Sequence, residues 1–566
     1  MKLPELLAPA GSPEAAIAAL KGGADAIYLG GRMLNARMNA NNFTDDQLSD
    51  CIKACHARGV KVYVTLNTSV YDRELADAIK YADTLYEMGT DALIIADLGF
   101  VALTKDRYPN MEFHASTQAS GHNAECAKAL AKAGFSRMVC ARELSRDAIK
   151  QLCKDSPIEI EQFIHGAMCV SQSGQCMASH VMGGRSGNRG VCAQPCRMNY
   201  NGGSPLSLKD MCLASHVTDL LESGVSSLKI EGRMKSPAYV YEVTSAYRKL
   251  LDQGRNATEK EIASLAAVFS RSGFTDGYYV GKIDSSMNGV RRAEDISASR
   301  ERRTELVDLR HALPKITVTD RGISGDVVTP KPPKRNQKPQ KPILTARFSF
   351  PAQVTGNGFF SHIYLPLEKY EAGVCDGVVF PPSVFPEKQA QFEEAVERAV
   401  NNGATHALVC HVGQIETALK YGLIPHGDFR LNAFNTATAQ YVCSLGVRDI
   451  ILSPELTLPQ MRDINAPKCA IAYGKYPVML LTKPVGASSL KDKTGAVFKV
   501  IREWGYDVLL NSVPVYMADK QKDLDTYGIR ARHFIFTDES AAECAKVINA
   551  YKNALPASFP IKRIAK

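Results

Sequence analysis

Short apolar runs alternate with longer amphipathic segments through the first 235 residues. The runs fall at 5–10, 26–30, 61–67, 92–97, 112–117, 137–143, 158–164 and 227–233. Most are separated by stretches such as 44–57 and 73–88, in which apolar residues recur at helical spacing. Eight strand-like runs separated by helices predict a closed (β/α)8, TIM-like barrel, which takes about 250 residues. A doubly wound open sheet shares the alternation and is the less favoured arrangement. In such barrels the strand C-termini gather on one face, where catalytic residues collect. Several runs end in polar residues there: Asn67, Asp97, Gln118, Glu143, His165 and Arg233.

The barrel is expected over 1–255, with a glycine-rich loop at 166–197. A helical and basic extension follows at 256–328 and holds Arg291, Arg292, Arg300, Arg302, Arg303 and Arg310. Residues 329–342 combine prolines with basic residues and no acid, which predicts an extended linker or a basic strap against a polyanion. A second α/β region occupies 343–566 and echoes the first. Residues 133–145 align with 445–457 without a gap, pairing Gly134 with Gly446, Glu143 with Glu455 and Leu144 with Leu456, and 163–166 correspond to 471–474. This predicts a smaller α/β domain with a partial barrel-like repeat and no cluster cysteines.

The composition is ordinary for a globular chain, which excludes a fibrous or wholly disordered protein. No apolar run reaches the roughly 18 residues that span a bilayer. The N-terminus lacks the apolar core of a signal peptide, so a cytoplasmic protein without a membrane partner is expected. The net charge of +9 suits a phosphate backbone, though only modestly. Fifteen cysteines, an odd number without an export signal, predict reduced thiols. Cys51, Cys140, Cys410 and Cys443 sit in apolar or helical patterns and read as small buried hydrophobes.

Four cysteines stand apart. Cys169, Cys176, Cys192 and Cys196 have the spacing C-x6-C-x15-C-x3-C and directly follow the seventh strand, among Gly166, Gly174, Gly183, Gly184, Gly187 and Gly190. Four thiolates from one loop suit tetrahedral zinc or an iron–sulfur cluster. The x6 gap is long for a zinc knuckle, and irregular spacing with a glycine-rich wrap favours iron–sulfur. Around this loop Glu161, His165, Lys229, Glu231 and Arg233 are candidate catalytic residues, able to move protons or clamp a carboxylate. Arg37, Asn42, Asn67, His114, Gln118 and Glu143 are candidate substrate-binding residues. Tyr28, Phe43 and Phe163 near this site read first as core packing, with stacking of an extruded base as the sharper alternative. No H-E-x-x-H helix and no G-x-S-x-G elbow is present, and a Cys169–His165 pair is the conceivable peptidase nucleophile.

The stretches Glu161-Gln-Phe-Ile-His-Gly-Ala-Met-Cys169, Ser171-Gln-Ser-Gly-Gln-Cys176, Gly184-Arg-Ser-Gly-Asn-Arg-Gly190 and Cys192-Ala-Gln-Pro-Cys-Arg197 closely resemble one signature. It is that of the collagenase-like peptidases of family 32, of unassigned catalytic type. Leu6-Leu-Ala-Pro-Ala-Gly11, Gly23-Ala-Asp-Ala-Ile-Tyr-Leu-Gly30 and Leu228-Lys-Ile-Glu-Gly-Arg233 agree with it. The resemblance covers about residues 3–280 strongly and 430–550 more loosely. It implies that the four cysteines hold a 4Fe–4S cluster, with zinc the alternative. It also implies oxygen-independent hydroxylation of a uridine in tRNA, a cytidine in large-subunit rRNA, or a ubiquinone precursor. In the RNA cases prephenate is the implied co-substrate. RNA is then a partner, together with an electron donor or accessory protein. Residues 163–197 most resemble the ribosomal cytidine branch. A peptidase, as the family name states, and a non-catalytic iron–sulfur scaffold are the other readings. Longer family members carry further cysteines after Tyr-Gly-x-x-Pro-Val-Met, where this chain has Leu481-Thr-Lys-Pro484, so that second metal site is not expected here.

Overall fold

Every apolar run predicted in the first half becomes a barrel strand. In this computed structural model, which describes residues 3–38, 40–292, 295, 321–333, 341–356 and 358–566, they are β1 (Glu5–Ala10), β2 (Ala26–Leu29), β3 (Lys61–Leu66), β4 (Ala92–Ile95), β5 (Glu112–Ala115), β6 (Arg137–Val139), β7 (Glu159–Gly166) and, past a short β8 (Asp210–Cys212), β9 (Ser227–Ile230). Arg300, Arg302, Arg303, Arg310 and linker residues 334–340 lie outside the described residues. Parallel pairing runs from β1 to β7, on to β9, and from β9 back to β1, closing an eight-stranded barrel. Side-chain caps start its helices where the apolar periodicity begins: Ser12, Asn123, Ser145 and Ser236 each accept from a first-turn amide, and Thr44 forms a capping box with Gln47.

β8 runs antiparallel to the end of β7, and β10 (Phe274–Thr275) extends from it. The β7–β9 register shifts between Phe163 and His165. That irregularity leaves Phe163 facing the barrel cavity, while His165 turns towards Tyr239 and Tyr247 of the helix Pro237–Gln253.

The second half is a complete barrel rather than the partial repeat expected. β11 (Ile343–Phe348), β12 (His362–Pro366), β13 (Gly377–Val379), β14 (His406–Val409), β15 (Ile424–Gly427), β16 (Ile450–Ile451) and β17 (Lys468–Gly474) pair in order. An antiparallel sheet follows, built from β18 (Pro477–Leu481), β19 (Ser489–Lys491), β20 (Val497–Glu503) and β21 (Tyr506–Leu510). After β22 (Val515–Tyr516), β23 (Ala531–Phe536) fits between β17 and β11 and closes the ring. The antiparallel insertion between β17 and β23 interrupts the strand–helix alternation and hides the second barrel in the sequence.

The barrels meet through their C-terminal faces in a pseudo-symmetric way. Asn123, which caps the helix after β5, donates to the Val384 carbonyl; Asn435, which caps the helix after β15, donates to the Val70 carbonyl. Gly99 lies so close to the start of the partner helix that a Cβ there would fall 2.1 Å from Thr438 N. Gly413 has the same relation to Cys126 N, at 2.6 Å. No helix among the described residues is long and apolar enough to cross a membrane.

Candidate metal centre and its cavity

Cys169, Cys176, Cys192 and Cys196 all line one cavity of about 750 Å³ at the C-terminal mouth of the first barrel. All are free thiols; Cys169 and Cys192 are exposed to it, and Cys176 and Cys196 are half-buried. The loop that carries them is held from three sides. Gly174 (φ +76) and Gly190 (φ +79) press its backbone onto the barrel rim, where a Cβ would lie 2.5 Å from Gln118 O and 2.3 Å from Asn35 O respectively. Glu143, after β6, accepts from Ser173 N at 2.9 Å and from its hydroxyl at 3.2 Å. Its repeat counterpart Glu455 accepts from Ser186 Oγ at 2.8 Å and Asn188 Nδ2 at 3.3 Å. The segment around Cys176 lies along β18 as an extra edge, with Gln172 N donating to Leu480 O at 2.7 Å and Met177 N to Val478 O at 2.8 Å.

The donor set fits a metal group. Burial raises the Cys169 thiol, raises Cys176 well above its ordinary value and pushes Cys196 up to about 12, and neighbouring cysteines push each the same way. Four thiols lining one cavity become stable as thiolates around a cation, which is what metal ligation supplies. The Gln194 amide already donates to Cys192 Sγ at 3.3 Å.

Opposite the cysteines the wall is strongly basic. Arg37, Arg142, Arg197, Lys229, Arg233, Lys235, Arg271 and Arg291 line the cavity against the single carboxylate of Glu231. Glu231 takes Arg142 at 2.9 Å and Arg37 at 3.5 Å. Burial favours its neutral form, but Arg37, Arg142 and Arg233 outweigh that and hold it below the usual carboxylate range. Arg233 donates to Thr65 Oγ1 at 2.9 Å and Asn35 Oδ1 at 3.4 Å, and among the described residues has no carboxylate at ion-pair distance. Burial lowers Arg233 to about 10 and Lys235 to about 7. Such a wall is poised for an anion.

Of the residues singled out by sequence, Arg37, Asn67, Gln118, Lys229, Glu231 and Arg233 line this cavity together with Tyr28 and Phe163. The aromatic faces are not free for a base. Lys229 Nζ sits 4.3 Å from the Tyr28 ring centroid, and the Arg142 guanidinium sits 4.0 Å from that of Phe163. Glu161 lies beneath, fully buried, 2.7 Å from Lys229 Nζ and 3.4 Å from Arg137; these cations hold its carboxyl low against the opposing effect of burial. Asn42 ties its own loop together through the Arg37, Met38 and Ala40 carbonyls. His114 is buried as the third residue of β5, 3.0 Å from Glu112, and does not line the cavity. Phe43 is core. His165, lowered to about 3 by burial, packs outward against Tyr247 and among the described residues makes no hydrogen bond to Cys169. Sequence reasoning missed Arg142, Arg197, Lys235 and Arg271. Arg142 was legible as the basic neighbour of Glu143 just past the sixth strand, and Arg197 as the residue closing the last cysteine pair.

Residues 11–289 match peptidase family U32. The 23S rRNA 5-hydroxycytidine C2501 synthase of Escherichia coli K12 is 40% identical over 50% of this chain and 44% of its own length. The tRNA hydroxylation protein P1 of Bacillus subtilis is 38% identical over 44% of this chain and 64% of its own. A collagenase of Porphyromonas gingivalis is 35% identical over 49% of this chain and 74% of its own. The matches thus span less than two thirds of the first two relatives.

Proposed function

The chain belongs to peptidase family U32, and we propose that within it the protein is an iron–sulfur hydroxylase of a pyrimidine base in ribosomal or transfer RNA. The observation that carries this reading is the meeting, in one cavity, of four thiols and a wall of cations with one carboxylate among them. Relatives named for rRNA 5-hydroxycytidine synthesis and tRNA hydroxylation support it. Cys169, Cys176, Cys192 and Cys196 hold the 4Fe–4S cluster, which supplies redox chemistry at the cavity wall when bound. Zinc on the same thiols is the alternative occupant.

The chain's own residues bind and orient. Arg233, with no carboxylate partner at ion-pair distance among the described residues, anchors one carboxylate of a dicarboxylate co-substrate such as prephenate. Arg37 and Arg142, sharing Glu231, anchor the other. Lys235, lowered to about 7, holds or releases a proton near neutrality and is the candidate acid–base group of the wall. Arg197, Arg271 and Arg291 face the RNA phosphates around the extruded base. The buried Glu161–Lys229 pair positions the floor rather than the substrate.

A peptidase built on Cys169 and His165 draws no support from the geometry, because His165 faces the outer helix. The deciding experiment compares nucleosides by mass spectrometry in RNA from cells carrying the wild-type chain, no chain, or Cys176→Ala. A hydroxylated pyrimidine present only with the wild type is the expected result. Unchanged modification with folded Cys176→Ala protein defeats the proposal, and casein digestion by the same variant restores the peptidase reading.

A further inference from the structure

The outward, N-terminal face of the second barrel carries imidazoles and carboxylates that the cysteine cavity does not use. His362 opens β12, Asp376 immediately precedes β13, His406 opens β14, His426 is third in β15 and Asp449 immediately precedes β16. Parallel register brings the starts of β12, β13 and β14 side by side, while His426, opposite Leu408 and level with Asp449, lies two residues deeper. Asp376 Oδ2 lies 2.7 Å from His362 Nδ1 and 3.9 Å from His406 Nε2. One ligand atom each of His362, Asp376 and His406 fall within 4.8 Å of one another. Behind them His406 Nδ1 is 3.1 Å from His426 Nε2, and His426 Nδ1 is 3.0 Å from Asp449 Oδ1.

With His426 neutral, the protons along this relay have one arrangement. An ionised Asp449 only accepts, so His426 Nδ1–H donates to it. The Nε2 of neutral His426 then accepts from His406 Nδ1–H, which leaves the His406 Nε2 lone pair facing Asp376. A carboxylate behind an imidazole is how proteins fix the tautomer of a metal-binding histidine. The cradle is also shaped. A Cβ at Gly377 would come 2.5 Å from the Tyr364 ring and 3.2 Å from His406 Cβ, so only glycine lets these side chains converge. The His362 and Asp376 side chains are 25% and 41% exposed, so a coordination position stays open to water. A second trio, His122, Cys126 and His411, also brings its ligand atoms within 4.8 Å of one another. There His122 already bonds the Ser120 carbonyl and the Val384 amide, and all three are sealed at the barrel interface.

We propose that His362, Asp376 and His406 bind a divalent transition-metal ion of the Zn²⁺ class, with His426 and Asp449 as positioning residues. Two imidazoles, one carboxylate and a water are an established zinc donor set.

Cobalt(II) is the probe, added to full-length protein whose cysteine site is already loaded. One equivalent is expected to bind with visible d–d bands and no thiolate charge-transfer band, and Zn²⁺ is expected to displace it. His406→Ala and Asp376→Asn remove that equivalent. Asp449→Asn, which keeps all three ligands, weakens it about 10–100-fold. Iron and sulfide content is unchanged in all three. His362→Gln, at a half-buried position, serves as the variant least prone to misfold and also loses the equivalent. The proposal is overturned if wild-type protein takes up no such equivalent, if folded His362→Gln binds cobalt as tightly as wild type, or if the bands carry thiolate character.

Discussion

The two barrels share one template, in constant register from the turn after the fifth strand to the glutamate after the sixth, and differ in what was placed on it. Ser120 (φ +58) and Asn432 (φ +51) make the same left-handed turn after the fifth strand of each barrel. Asn123 and Asn435 cap the next helix, and Gly134 (φ +111) and Gly446 (φ +107) follow it. Glu143 and Glu455 then grip the same cysteine loop from opposite sides. The divergence comes after the seventh strand. There the first barrel extends the cysteine loop, while the second extends an antiparallel sheet whose β18 supports that loop. The C-terminal face of one barrel became a basic cavity, and that of the other was spent on covering it. Chemistry followed the insertion, not the fold.

The symmetric interface is unequal in its parts, and that inequality gives the largest predicted effect. Asp97 and His411 occupy matching places, each two residues before the contact glycines Gly99 and Gly413. Asp97 is buried and accepts from Val70 N, Phe100 N, Asn435 Nδ2 and Thr438 Oγ1. His411 makes one contact of this kind, at 3.3 Å from Cys126 Sγ, and among the described residues its Nε2 has no hydrogen-bond partner. Asp97→Ala strands several buried donors and should cost about 3–5 kcal/mol. Urea unfolding should then separate into two transitions. His411→Ala should cost less, and equal losses would show that the two halves contribute alike.

The paired glutamates sharpen the comparison through pH. Burial pushes the Glu455 carboxyl up to about 7, whereas an unfolded carboxyl titrates near the ordinary 4.5. The folded state therefore holds the proton more tightly. Both states are protonated below about 4.5; stability falls as pH rises from there to about 7, and the loss persists above. The full span corresponds to about 3 kcal/mol. Glu455→Gln keeps an acceptor for Ser186 and Asn188 and has no charge to bury. Its Tm should match wild type near pH 5 and exceed it near pH 8. A parallel pH profile for variant and wild type would remove Glu455 from the account.

Much of this was legible in the sequence, for identifiable reasons. The eight strands of the first barrel are apolar runs buried on both faces, so periodicity and length suffice to place them. The cysteine loop declares itself by composition. What stayed hidden depends on register or on partners distant in sequence. His165 follows the β7 irregularity, which turns it from the cavity side to the outer helix, and no local pattern announces a bulge. Asn42 looked like a mouth residue and instead closes its own turn. The second barrel was concealed by the antiparallel insertion that separates its closing strand β23 from β17. Arg142 joins the site because it lies over Phe163 and reaches Glu231, contacts made across strands.

Arg142 belongs to the first barrel's cavity alone, so its removal separates substrate binding from support. Arg142→Ala should raise KM for an anionic co-substrate about 10–100-fold, the loss of one charged hydrogen-bonding partner at about 1.5–3 kcal/mol. Iron content should stay unchanged. A fall in iron with KM unaltered would assign Arg142 to the cluster instead.

The smallest effect tests how the second barrel holds Cys176. Gln172 is buried, donates through Nε2 to Thr482 Oγ1 at 3.0 Å and accepts from Ser383 Oγ at 2.6 Å. Its backbone amide separately donates to Leu480 O at 2.7 Å. If the loop is held mainly by the backbone edge along β18, Gln172→Ala loses only the side-chain bonds. Thr482 Oγ1 then loses a donor and Ser383 Oγ an acceptor, both of them neutral bonds, so the expected cost is about 1 kcal/mol, read as a small drop in Tm with iron content retained. Loss of iron from folded Gln172→Ala protein would mean that two side-chain contacts to the second barrel, rather than the strand-like edge, set the position of the cysteine loop.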